Sequence, residues 1–138
     1  PNVDGPRRSL EMAVAQAGIG LKEIGYVNAH ATSTPIGDYN EAMAITSVFG
    51  EFKPYVASTK AMTGHEMWMA GASEVIYSTL MMQNDFIAPN INFSEPDEAS
   101  VLLNIPAMRI DRGFDVFLSN SFGFGGTNST LVVRKFKE

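Results

Sequence analysis

An α/β fold is predicted by this sequence: a layered sandwich of helices about a mixed, mostly parallel sheet of five strands, with one helix buried at its centre. Three observations predict it. Segments with helical periodicity alternate with short apolar runs. The last two apolar runs flank a glycine turn, Phe122 to Asn128, and so form a hairpin. The length of 138 residues and a hydrophobic content of 45% suit one domain with a genuine core.

The elements follow in order. Asp4 to Gly18 reads as a helix: Pro6 suits its first turn, Leu10, Ala13, Val14 and Ala17 share a face, and Gly18 supplies a left-handed stop. Ile24 to Ala29 is a strand that ends at His30. Asp38 and Glu41 have the spacing of a capping box that opens a second helix, ending at Gly50. Tyr55-Val56-Ala57 is the second strand. Thr63 and Glu66 form another capping box, from which a helix runs to about Asn84. Met67, Trp68, Ala72, Val75, Ile76, Leu80 and Met81 leave that helix no broad polar side, the pattern of a buried central helix. Residues 86–93 form extended loop. Val101-Leu102-Leu103, Val116-Phe117-Leu118 and Thr130 to Val133 supply the remaining strands.

Charge and composition exclude several classes. A formal net charge of −5 without a basic cluster argues against nucleic-acid binding. The longest apolar stretch, near Val75 to Met82, is too short and too polar to span a bilayer. The absence of cysteine excludes disulfides, thiolate metal sites and a cysteine nucleophile within this chain. A cytoplasmic location is the expectation. The opening Pro1 to Pro6, with no initiator methionine, reads as the cut edge of something longer, and Val132 to Glu138 as a natural C-terminus.

The chain has only two histidines, each in a run of small and hydroxylated residues, and imidazole exchanges protons most readily near neutral pH. His65, expected near the third position of a helix, would be held neutral by the helix N-terminus. It is then either a donor for a carbonyl or developing oxyanion, or a core histidine capping a loop carbonyl. Lys60 is either a surface charge or a buried ammonium held by Glu41 or Glu74. Glu74 itself needs a partner or an ion on so apolar a helix. His30 with Thr32, Ser33 and Thr34 offers a hydroxyl-lined pocket for an amide-bearing ligand, or a simple strand-to-helix turn. The turn from Phe122 to Asn128 fits no phosphate-binding pattern, but its two phenylalanines suit backbone N–H groups brought close to a ligand. No His-x-x-x-His or His-x-x-Glu spacing supports a catalytic metal.

Three motifs, Asn28 to Asp38, Ser58 to His65 and Ser119 to Asn128, together resemble the C-terminal half of a β-ketoacyl-acyl-carrier-protein synthase, a condensing enzyme with the thiolase fold. Lys60 to His65 and Phe86 to Asn92 look most like the type I elongating enzymes. The resemblance spans residues 1–138 as one C-terminal domain, with the N-terminal half absent. It implies acyl transfer from carrier protein to a cysteine, decarboxylation of malonyl-carrier protein, and condensation of the two in fatty-acid elongation.

His30 and His65 would complete a Cys-His-His triad whose cysteine lies in the other half. Lys60 would be the family's site lysine, paired with Glu41. Thr32 and Thr34 would bond the phosphopantetheine arm of the acyl carrier protein. The Phe124 N–H would complete an oxyanion hole, and the Phe122 and Phe124 rings would gate the acyl pocket. Asn28, Glu74, Ser119 and Asn120 match positions where some members hold a structural monovalent cation, and no other cofactor is implied. The parent would be a homodimer. Two departures stand out: Glu66 to Gly71 replaces the usual Ser-Leu-Gly-Ala-Ala-Gly, and Ala31 replaces a glycine. Other readings are a non-catalytic partner of the same fold, similar to a chain-length factor or binding only carrier protein, and a ketosynthase domain of a polyketide synthase.

Overall fold

The computed structural model describes residues 2–137. Helix α1 (Asp4–Ala17) leads to β1 (Tyr26–Asn28), α2 (Pro35–Phe49), β2 (Tyr55–Ala57), the short α3 (Lys60–Thr63), α4 (Ala70–Gln83), β3 (Val116–Phe122) and β4 (Asn128–Arg134). The strands form one sheet in the order β2-β1-β3-β4. The first two pairings are parallel, with Asn28 opposite both Ala57 and Ser119, and the β3–β4 hairpin is antiparallel. No helix among the described residues is long and apolar enough to cross a membrane.

Strand alternation sorts side chains onto two faces. Val27, Ala29, Val56, Val116 and Leu118 pack with Leu10 of α1 and with Ala44, Ile45 and Phe49 of α2. Tyr26, Ala57 and Phe117 pack instead with Met81 and Met82 of α4 and with Ile87 and Phe114. The sheet is thus covered on both faces, as parallel strands require. Gly18 ends α1 at φ 63°, in the left-handed conformation expected of it.

Four expectations change. The sheet has four strands, because residues 100–102 wind into a 3₁₀ turn. Asp97 is the reason: its Oδ1 accepts the N–H groups of Ala99 (3.2 Å) and Ser100 (2.7 Å), leaving only an isolated bridge between Asn104 and Tyr55. Helix α2 starts at Pro35, after an extended Thr34, because proline is preformed for a first helical position. Asp38 therefore lies inside the first turn, and Glu41 turns into the protein. Helix α4 starts at Ala70, because Gly64 (φ 73°) and Met67 (φ 54°) take left-handed conformations that a right-handed helix cannot contain. Finally, α4 is buried on one side only. Its inward residues include Ser73, Glu74 and Ser78, while Ile76 and Leu80 are 57% and 48% exposed.

Candidate active site

Three parallel strands deliver their C-terminal ends to one edge of the sheet, where α/β proteins usually place their sites. The loop after β1 carries His30, the segment after β2 carries Lys60 and His65, and β3 ends at Phe122. The His30 and His65 rings meet edge to face at 5.7 Å between centroids, with planes at 87°. Phe122 lies 5.8 Å from His30 on another side. Residues 35 positions apart in sequence thus form one site.

His30 is half-buried, and its loop is gripped by Glu41. One carboxylate oxygen accepts the His30 N–H at 2.9 Å and the other accepts the Ala31 N–H at 2.8 Å. The Asn120 amide donates to Glu41 Oε1 at 3.0 Å, and the Thr130 hydroxyl donates to Asn120 Oδ1 at 3.0 Å. Ser9 of α1 lies 3.0 Å beyond Thr130. A second strap joins the two loops: the Ser58 hydroxyl donates to the Ala31 carbonyl at 3.2 Å. Burial, reinforced by the charge of Lys60 and by His65, pushes the His30 imidazole down to about 4. The ring is neutral at physiological pH.

His65 is exposed and lies ahead of α4, not in the first turn expected of it. Its tautomer is set locally. The Met67 N–H donates to His65 Nδ1 at 3.1 Å, which requires a lone pair there and puts the proton of the neutral ring on Nε2. Met67 keeps its left-handed backbone, a conformation that costs a non-glycine residue about 1 kcal/mol.

Lys60 is buried, but its partner is Glu74 and not Glu41. Its ammonium donates to Glu74 Oε1, with the side chains 7% and 3% exposed. The Glu41 carboxylate is already engaged by two backbone N–H groups and Asn120. Burial raises the Glu74 carboxyl above its ordinary value, against the opposing pull of Lys60.

The four residues expected around a monovalent cation do not share one face. Asn28 and Ser119 pair across the sheet on the α4 side, and the Asn28 amide donates to Ser78 of that helix at 3.3 Å. Asn28 Oδ1 and Glu74 Oε2 are both buried with no hydrogen-bond partner among the described residues. Those orphaned oxygens fit a cation. The Asn120 side chain does not, because it lies on the other face between Glu41 and Thr130.

At the rim, the Thr32 and Thr34 hydroxyls are 3.2 Å apart. Phe124 stands fully exposed at the hairpin tip, where Gly125 and Gly126 adopt φ of 83° and 86°. A cavity of about 260 Å³ lies beneath the His30 loop, lined by Asp38, Glu41, Ser58 and Asn90 among others. The larger cavity, about 510 Å³, is at the opposite end of the sheet around Gly25 and Phe114 and contains neither histidine.

Several supporting residues were not foreseen from the sequence: Ser78 beneath Asn28, Thr130 behind Asn120, and Tyr77, whose hydroxyl donates to Glu66 at 2.7 Å. Their signal is present, since a polar residue on a strand or helix that is otherwise apolar must find a partner inside.

The family model "Beta-ketoacyl synthase, C-terminal domain" matches residues 1–94. The 3-oxoacyl-[acyl-carrier-protein] synthase 1 of Escherichia coli (strain K12) is 49% identical over 138 residues, which is 100% of this chain and 33% of that protein. The structure of the ishigamide ketosynthase/chain length factor superposes with a TM-score of 0.94 at 33% identity, covering 99% of this chain and 34% of that one. A type II polyketide acyl-carrier protein in complex with its ketosynthase matches with a TM-score of 0.90 at 33% identity, covering 98% and 34%. The chain thus spans about a third of the length of the relatives it matches. With its thiolase-like fold and its histidines at one sheet edge, the chain belongs to the β-ketoacyl synthases and represents the C-terminal domain of that family.

Proposed function

We propose that residues 1–138 act as one C-terminal unit of a 3-oxoacyl-[acyl-carrier-protein] synthase and supply the decarboxylating side of its condensing centre. The observation that carries this reading is the edge-to-face pair of His30 and His65, 5.7 Å apart, in a chain without cysteine. A neutral His30 ring beside the Nε2–H of His65 suits an oxygen on which charge develops. In malonyl-carrier protein the bond to the carboxylate breaks, carbon dioxide leaves, and the electron pair passes into the thioester as an enolate. The Nε2–H of His65, with His30 beside it, would stabilise that enolate oxygen.

The enolate carbon then attacks an acyl thioester on a cysteine supplied by the part of the enzyme outside this chain. The Phe124 N–H would receive the resulting oxyanion before the thiolate leaves. Thr32 and Thr34 would bond the phosphopantetheine arm carried by the acyl carrier protein, and the Phe122 and Phe124 rings would border the acyl channel. Lys60 and Glu74 set the local charge, and Glu41 positions His30. Asn28, Ser119 and Glu74 would hold a structural monovalent cation, which would neutralise charge on Glu74. A homodimer in the cytoplasm is the assembly this reading carries with it.

His65→Ala in the full-length enzyme tests the proposal. Malonyl decarboxylation should be abolished while the cysteine is still acylated. Normal decarboxylation by that variant would make His65 structural and sink the reading.

A further inference from the structure

The segment from Glu66 to Met69 adjoins His65, and of it only the Met67 N–H enters the chemistry described above. Three features converge there. Gly64 and Met67 both have positive φ, so His65 and Glu66 lie in a break between the end of α3 and a single 3₁₀ turn at Met67–Met69, outside any helical ladder. Met67 supplies the N–H that holds His65 Nδ1, so any drift of this turn moves the imidazole. Glu66, between them, is half-buried, and its Oε1 accepts the Tyr77 hydroxyl at 2.7 Å from the second turn of α4.

The same helix holds the other end of the segment. Glu74 binds the Lys60 ammonium, and Glu74 and Tyr77 are three residues apart, on one side of α4. Residues 60–66 are therefore pinned to a single helix at both ends. The first pin is a buried ion pair. The second is an O–H donor to a carboxylate, the stronger kind of hydrogen bond. That bond to Glu66 also raises the Tyr77 phenol above its ordinary value, so the hydroxyl keeps its proton and stays a donor.

We propose that Glu66 and Tyr77 form a latch that positions His65, fixing the turn from which Met67 orients the imidazole. They are positioning residues, acting only through His65, and their effect on turnover rests on the functional reading above. The latch holds a turn whose Met67 and Trp68 side chains are exposed and lend it no packing.

The test uses the full-length enzyme with Tyr77→Phe, Glu66→Ala, Glu66→Gln and the double variant Glu66→Ala/Tyr77→Phe. Hydrogen exchange read by mass spectrometry over residues 64–70 reports the latch without reference to activity. Exchange should rise about tenfold in Tyr77→Phe and Glu66→Ala, with α4 beyond Tyr77 unchanged. Unchanged exchange at 64–70 overturns the latch.

In malonyl decarboxylation, kcat should fall about tenfold with KM and cysteine acylation unaltered. Glu66→Gln, which keeps an acceptor, should recover most of the rate, and the double variant should be no slower than either single one. Losses that multiply in the double variant, or that fall equally on cysteine acylation, overturn the positioning role. If the unmodified enzyme does not decarboxylate malonyl-carrier protein, the functional reading fails, and the exchange experiment still decides the latch.

Discussion

Replacing Lys60 by methionine keeps the aliphatic stem and removes the charge, which isolates what the ammonium does. Glu74 would then be a carboxylate 3% exposed, with one oxygen newly abandoned and the other already without a partner. Breaking a buried pair by deleting one member costs about 3–5 kcal/mol, because the remaining charge is uncompensated. The carboxylate has one escape, which is to take up a proton.

Burial already holds the Glu74 carboxyl above its ordinary value, and Lys60 is the main force opposing that rise. Without Lys60 it climbs further. A carboxyl raised in the folded state binds more protons there than in the unfolded chain. The associated stability is therefore full below the unfolded value and is lost as pH rises through the folded one. Lys60→Met should be only slightly weakened near pH 5 and should lose the full amount at pH 8. With a urea dependence of about 1–3 kcal/mol per molar, that loss is a midpoint shift of about 1 M or more. Lys60→Met/Glu74→Gln, which removes both charges, should return to within about 1 kcal/mol of the parent. The assay is equilibrium urea unfolding of the full-length enzyme followed by circular dichroism at both pH values. A single variant with an unshifted midpoint at pH 8, or with the same deficit at both pH values, would refute the reasoning.

Three further outcomes are expected. Because His30 titrates near 4 and is neutral above it, its protonation should enter the acid limb of decarboxylation only near pH 4. In Lys60→Met that limb should move toward 6.5, and a pH–rate profile with the limb already at 6.5 in the parent would contradict this. Glu41→Gln turns one acceptor oxygen into an NH₂ group facing an N–H donor, so it should cost about 1–3 kcal/mol in thermal melts. If Asn28 and Glu74 share a monovalent cation, the melting temperature should be higher in potassium chloride than in choline chloride. That difference should vanish in Asn28→Ala, and identical melting of the parent in the two salts would dismiss the cation.

What was legible in the sequence depended on whether the deciding interaction was local. Helix α1 could be bounded because Pro6 and Gly18 act through their own backbone angles. The strands β1 and β2 were visible as apolar runs stopping at small polar residues. By contrast, Asp38 and Glu41 have the spacing of a capping box whether Glu41 caps or turns inward. The Thr34-Pro35 start and the unsatisfied N–H groups of His30 and Ala31 decide it, and the latter are tertiary neighbours. Met67 carries no mark of its left-handed backbone, so the start of α4 was read six residues early.

The polarity of α4 was also misread for a physical reason. Its serines and Glu74 face inward because the sheet presents Asn28 and Ser119 there, and Ile76 and Leu80 are left outside. The site loops were legible, since the histidines and their small neighbours are contiguous in sequence. Lys60's partner was not, since choosing between Glu41 and Glu74 requires the fold.

Neither histidine sits on a helix or strand, and each loop is held from a different side of the sheet. His30 is held from the α2 side by Glu41, Asn120 and Thr130. His65 is held from the α4 side through Met67, with Lys60 and Glu66 tied to Glu74 and Tyr77. Among the described residues the two support systems share no side-chain partner and meet only through the Ser58 hydroxyl, which accepts the Lys60 N–H at 3.4 Å and donates to the Ala31 carbonyl at 3.2 Å. Groups without a shared partner perturb function independently, whereas members of one network do not. Combining Glu41→Gln with Tyr77→Phe should therefore multiply the two losses in decarboxylation rate. Within the α4-side system, Glu66→Ala with Tyr77→Phe should not. A combination of Glu41→Gln and Tyr77→Phe no worse than its more severe member would mean that the two loops move as one body, and that the sheet between them transmits the strain.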